Sequence, residues 1–391
     1  MRDDNYKASL DRLYKDCVSH KSETSDLYVG ELGILIFLLE YQKYFNIDDD
    51  LSDRVDSAIN KALSMNSATI SNGLTGLGWF LEYLVKKDFI DKISIEELQK
   101  ELDDVIYEAA FENFKKGDHD FMHGGSGNFY YLLGRAGESP ELKPKLNALL
   151  DELDSLHVNS EIGYHWTEID NSIPEYAGKV IVNSGLAHGI AGKILLLTHV
   201  IRAGINVRKA KKMLEDSIGF IVKLYDEKSR SQVPVALIDY QSAGDARLAW
   251  CQGDLGISYA LHIANNFLQD PNLKRISKSI ARQTTTRRTR GESSVMDAGF
   301  CHGSAGIAHL YLKIFRLTQD QEMLKSGRYW LDYTINFERK NNGIMGYAAW
   351  DNVNMKPQKE FGLLRGHAGI GLVYLSYLSG ENTIWDSSLL L

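Results

Sequence analysis

The chain lacks the marks of several protein classes. Its 391 residues hold three cysteines, too few for a disulfide framework, so a reducing, cytoplasmic setting is expected. No segment is long and apolar enough to span a bilayer, and the first residues, Met1, Arg2, Asp3 and Asp4, form no apolar signal core. Positive charge is also short. With 44 Lys and Arg against 52 Asp and Glu, the net charge is −8, which argues against a general nucleic-acid face. The one basic stretch, Arg282, Arg287, Arg288 and Arg290, reads as a solvated loop, with a docking patch for an acidic peptide as the alternative.

What the chain does have is a motif repeated seven times, Gly-x-x-Gly followed by an apolar run. The glycine pairs are Gly30/Gly33, Gly73/Gly76, Gly124/Gly127, Gly189/Gly192, Gly253/Gly256, Gly303/Gly306 and Gly366/Gly369. A fixed signature at such a period marks a repeat architecture. The runs after the glycines (34–41, 79–85, 129–133, 194–200, 257–263, 307–314 and 370–378) are apolar nearly all round, as helices buried on every side are. Between them lie amphipathic stripes such as Leu51, Val55, Ile59, Leu63 and Leu142, Leu146, Leu149, Leu150, Leu153, which read as surface helices with one buried face. Ser94 and Glu97 have capping-box spacing ahead of another stripe, Leu98, Leu102, Val105 and Ile106. An open solenoid needs polar caps at its ends, yet the first and last motifs here are ordinary. The expected fold is therefore all-α, an α/α toroid with seven inner and about seven outer helices, forming a single domain over 1–391. Short β excursions are expected at 179–183, 232–238 and 343–350. The glycines themselves read as packing devices, since the spacing and context do not fit a dinucleotide fingerprint.

If the motifs are equivalent, the residues just before each first glycine share one position. Immediately before it stand Val29, Asn72, His123, His188, Gln252, His302 and Arg365; one residue earlier stand Tyr28, Ser71, Met122, Ala187, Cys251, Cys301 and Leu364. Polar groups leading into buried helices are costly unless they have work to do or partners to meet. Cys251, Cys301 and His302 converge in this register, and two thiolates, an imidazole and a water make a zinc site with one open position. Cys17, His199, His262 and His309 lie outside the register and read as core groups.

Trp250-Cys251-Gln252-Gly253 and Cys301-His302-Gly303, with Ala187-His188-Gly189 upstream, resemble the lanthionine synthetase C-like family, and the resemblance runs through all seven motifs. It implies an α/α toroid and a Zn2+ ion held by Cys251, Cys301 and His302. It further implies a cyclase that adds peptide Cys thiols to dehydroalanine or dehydrobutyrine, giving thioether rings. Its substrate is a dehydrated, leader-bearing precursor peptide, with the dehydratase as a further partner. By the same resemblance His188 is the acid/base, Asp120 orients it, and Arg247 stabilises enolate charge. Many members carry Tyr or His after the first zinc Cys; here Gln252 stands there, and it cannot donate a proton of useful pKa. His123, Gln252 and Arg365 are substrate-lining candidates. Two alternatives stand beside the cyclase: a glutathione-binding relative that adds glutathione to dehydroamino acids, and a non-catalytic zinc scaffold.

Overall fold

The structure, a computed structural model, describes residues 2–169, 177–340, 346–351 and 354–391. Each glycine motif opens a helix whose N-cap is its first glycine. These inner helices run Glu31–Phe45, Leu74–Lys86, Gly125–Arg135, Ile190–Arg202, Asp254–Leu268, Ser304–Thr318 and His367–Ser379. A glycine cap offers no side chain to the unpaired N–H groups of the first turn, so the main chain meets them instead. The segment before each helix folds back over its start. Glu31 N–H donates to Thr24 O at 2.9 Å, Leu74 to Ser67 at 3.0 Å, Gly125 to Asp118 at 3.1 Å, Ser304 to Asp297 at 3.1 Å and His367 to Glu360 at 3.1 Å. This fold-back explains the second glycine. A Cβ on Gly306 would sit 1.8 Å from the Phe300 carbonyl oxygen, and one on Gly369 would sit 1.9 Å from that of Leu363.

The chain divides into two compact units, Met1–Gln99 with Val295–Leu389, and Lys100–Ser294, apart from the last two residues. The first holds repeats one, two, six and seven. There the two-before-glycine position forms a chain of main-chain hydrogen bonds: Cys301 N–H donates to Leu364 O (2.7 Å), Leu364 to Tyr28 (2.9 Å) and Tyr28 to Ser71 (3.4 Å). Repeat seven is thus bonded directly to repeat one. The helix Arg2–Ser19, which no sequence stripe announced, packs on the seventh inner helix and buries Tyr6, Leu10, Leu13 and Cys17. It is the seventh outer helix.

The second unit holds repeats three to five, and Ala187 N–H donates to Cys251 O at 3.0 Å in the same register. The expected excursions combine here into a four-stranded antiparallel sheet in the order Glu168–Ile169, Val180–Asn183, Ala236–Ile238, Gln241–Ser242. A hairpin, Val158–Ser160 with Gly163–His165, precedes it. In the first unit, residues 343–345 of the third expected excursion lie outside the described residues, and its end forms Ala349–Asp351, paired with Lys356–Gln358.

Three local expectations change. Ser94 is not an N-cap: the turn Lys92–Ile95 starts at Asp91, whose side chain accepts from Ile93 N–H, and Ser94 Oγ donates back to Asp91 O. The stripe at 51–63 buries its alanines, Ala58 and Ala62, while Leu63 stays exposed. Arg287 is no part of a solvated loop. It is buried against Asp254 and donates to the carbonyls of Ala246 (3.1 Å) and Arg230 (2.7 Å). The core readings hold for Cys17, fully buried, and for His309, buried with its Nε2 2.7 Å from Asp386.

Candidate active site

In the second unit, the loop entering the third inner helix carries Asp118, Asp120 and His123, and the loop entering the fourth carries His188. Asp120 spans the two: one carboxylate oxygen accepts the His123 backbone N–H at 2.7 Å, and the other lies 2.7 Å from His188 Nδ1. A proton on Nδ1 is thereby held, leaving Nε2 as the nitrogen that exchanges protons. Burial pulls the His188 pKa down, but the Asp120 hydrogen bond and charge outweigh it and the net shift is upward. Burial likewise pushes Asp120 up, and the His188 contact carries it below its ordinary range. The pair therefore stabilises the imidazolium that forms when His188 takes up a proton. The His123 ring stacks 6.2 Å from that of His188.

These residues open on a cleft of about 720 Å³ whose lining includes Lys116, Asp118, Asp120, Glu168, His188 and Gln252. Burial raises the Asp118 and Glu168 pKa values. It lowers that of Lys193, which is 3% exposed on the fourth inner helix, against the opposing charges of Asp120, Glu168 and Asp118. A larger cavity in this unit, about 760 Å³ beside Val207–Leu224, is lined by surface Lys, Asp and Glu side chains and holds none of the expected site residues.

Cys251 and Gln252 sit on the turn into the fifth inner helix. Gly253 there has φ +100°, the one first glycine of a motif in that region, and a Cβ on it would lie 2.3 Å from Arg247 O. The turn is thus open only to glycine. Arg247 is half-buried, and its guanidinium makes no ion pair or hydrogen bond among the described residues.

In the first unit, Asp297 fixes the loop that presents Cys301 and His302. Its Oδ1 accepts from Gly299 N–H (3.0 Å) and its Oδ2 from Trp350 N–H (2.8 Å). Arg365 donates to Trp350 O at 2.9 Å and pairs with Glu360 at 3.3 Å, so its charge is already engaged.

Cys251, Cys301 and His302 form a donor set that could hold a metal ion. His302 Nε2 is buried without a hydrogen-bond partner, and buried polar atoms in native folds rarely go unmet. The donors fit a borderline-soft cation.

Sequence reasoning missed Glu168 and Lys193. Glu168 is a lone acid in a connection and gave no signal. Lys193 did give one: four residues after the first glycine five of the other six repeats are apolar (Ile34, Leu77, Ile257, Ile307 and Ile370, with Asn128 the exception), so a lysine there stands out.

A helical repeat protein with a Cys–Cys–His cluster and a carboxylate-held histidine defines a class, and comparison with known proteins supplies the family. Residues 21–390 match the family described as "Lanthionine synthetase C-like protein", and the chain belongs to that family. Among solved structures it is similar to nisin cyclase, at 18% identity and TM-score 0.73, over 99% of this chain and 96% of that one. The fold is the lanthipeptide-cyclase fold, an α/α toroid. A D-mannose isomerase (13% identity, TM-score 0.43, 68% of this chain and 70% of that one) and a sugar epimerase from a ruminal bacterium (13%, 0.41, 66% and 72%) align more loosely. No helix among the described residues is long and apolar enough to cross a membrane.

Proposed function

We propose that the protein is a zinc-dependent lanthipeptide cyclase that joins peptide Cys thiols to dehydroalanine or dehydrobutyrine as thioether rings. The observation that carries this reading is the donor set Cys251, Cys301 and His302, in which His302 Nε2 is buried without a hydrogen-bond partner. Family membership and the likeness to nisin cyclase support it. Cys251, Cys301 and His302 would hold Zn2+, which supplies a Lewis acid that lowers the pKa of a coordinating thiol.

The remaining roles belong to side chains. His188 Nε2 accepts the proton that the substrate thiol gives up, and Asp120 keeps the ring oriented through Nδ1 and stabilises its cationic form. Arg247, a guanidinium with no protein partner among the described residues, is suited to the enolate oxygen that forms as sulfur attacks the β-carbon. His123 and Gln252 line the path of the peptide, and Gln252 offers hydrogen bonds rather than a proton. The substrate is a dehydrated precursor peptide, and its dehydratase is the natural neighbour.

The test is a synthetic peptide bearing one dehydroalanine and one cysteine, incubated with zinc-loaded protein while free thiols are counted. Thiol loss should be zinc-dependent and well above the uncatalysed rate. Cys301→Ala should lose both the metal and the activity. Full zinc occupancy in that variant removes the ligand assignment, and no zinc-dependent loss by the parent removes the cyclase reading. Consumption of added glutathione in place of ring closure moves the activity to intermolecular thiol addition.

A further inference from the structure

Thiol addition leaves negative charge on the enolate, and Cα must then take a proton. Gln252, beside the first cysteine of the cluster, has none to give. The cleft holding His188 and Gln252 presents another acid, Glu168. Its strand, Glu168–Ile169, pairs with Val180–Asn183, and Asn183 lines the same cleft. Asn183 is itself oriented, because its Oδ1 accepts the Gly185 N–H at 2.8 Å. The acid is thus placed by a sheet rather than by a loose loop.

We infer that Glu168 is a further catalytic residue of the thiol addition, delivering the proton to Cα; this rests on the cyclase reading above. The step balances. The C–S bond forms as the alkene π pair moves to Cα and its carbonyl. The Glu168 O–H bond then breaks as Cα–H forms. The carboxylate left behind recovers the proton that the substrate thiol gave to His188, so the thiol hydrogen ends on Cα and no other reactant is consumed.

The surroundings suit this division of labour. Charged groups facing Glu168 are Lys193 and His188 from the fourth repeat and Asp120 from the third, and Asp118, His119 and Lys116 line the same cleft. Burial pushes the Glu168 carboxyl up while its partner holds Asp120 down. Two carboxyls pushed apart in one cleft let one stay ionised as the other carries the proton. Lys193 is buried, and its ammonium lies 5.9 Å from the Trp166 ring centre with no side-chain hydrogen bond or ion pair among the described residues. Its charge favours the carboxylate that the transfer leaves.

The experiment follows ring formation by zinc-loaded Glu168→Gln and parent on the same dehydroalanine–cysteine peptide. It reads single-turnover rate against pH and the diastereomer ratio of the hydrolysed lanthionine. Glu168→Gln should keep its zinc and melting temperature and lose rate on the order of 10²-fold. It should also lose the alkaline limb of the parent's profile, and its diastereomer ratio should move to that of the uncatalysed reaction. A rate within about twofold of the parent's overturns the inference. So does a slowed variant with the parent's pH profile and ratio, which makes Glu168 a purely structural group. If Glu168→Gln does not fold, Glu168→Asp carries the test: a slower rate with the alkaline limb intact supports the inference, and the parent's rate overturns it. A parent inactive on the peptide fails the cyclase reading itself, and the inference with it, and is told apart by that parent arm.

Discussion

Asp16 shows how single side chains tie the seventh repeat to the N-terminal helix. Its carboxylate lies 3.2 Å from His367 Nε2 and 3.0 Å from Lys359 Nζ. The His367 hydrogen bond, with help from Lys359 and against burial, lowers its pKa to about 2. Because the folded-state value is depressed, the stabilisation is complete above the unfolded value near 4 and is lost as pH falls toward 2. Asp16 is 37% exposed, so the effect is screened and small. The melting temperature of the parent should fall more steeply between pH 4 and 2 than that of Asp16→Asn, the two curves meeting at the acid end. Parallel curves would show that the contact contributes nothing. At this scale Cys251, Cys301 and His302 stood out because the glycine register sets the two cysteines at one position and His302 at the next. Glu168 did not, since only sheet pairing, a contact between distant segments, brings it to the cleft.

For the inner helices, the glycines separate into those the fold requires and those it tolerates. Gly369→Ala places a Cβ against main-chain atoms that cannot yield without moving the fold-back segment, so a loss of about 1–3 kcal/mol or more is expected in chemical denaturation. Gly134, near the end of the third inner helix, is different: a Cβ added there would meet nothing within 4 Å. Gly134→Ala should gain up to about 1 kcal/mol. Equal effects at the two positions would refute the close-approach account of the motif. The inner helices were readable from the sequence because they are buried on every side along most of their length and their runs are mostly apolar. The strands were readable only as isolated pieces, because each is two to four residues long and the sheet exists through their pairing.

For the whole molecule, the outer helix that sequence stripes did not reveal is the one that begins the chain. Arg2–Ser19 covers the seventh inner helix with Leu10 fully buried, Tyr6 stacked 5.2 Å from Tyr374, and the Tyr6 hydroxyl donating to Asp332 at 2.6 Å. It escaped notice because only one face is apolar and no glycine motif precedes it. Leu10→Ala should cost about 2–5 kcal/mol by equilibrium unfolding, as for other buried leucines. A loss under about 1 kcal/mol would mean that the helix is a detachable flap. The hydrogen bonds that run from Cys301 through Leu364 and Tyr28 to Ser71 have a consequence for divergence. Every link in that strut is a main-chain atom. Mutation can rewrite the side chains along it without shifting the anchor point of Cys301, so descendants of one ancestral fold can lose nearly all resemblance in their letters while that cysteine stays in place.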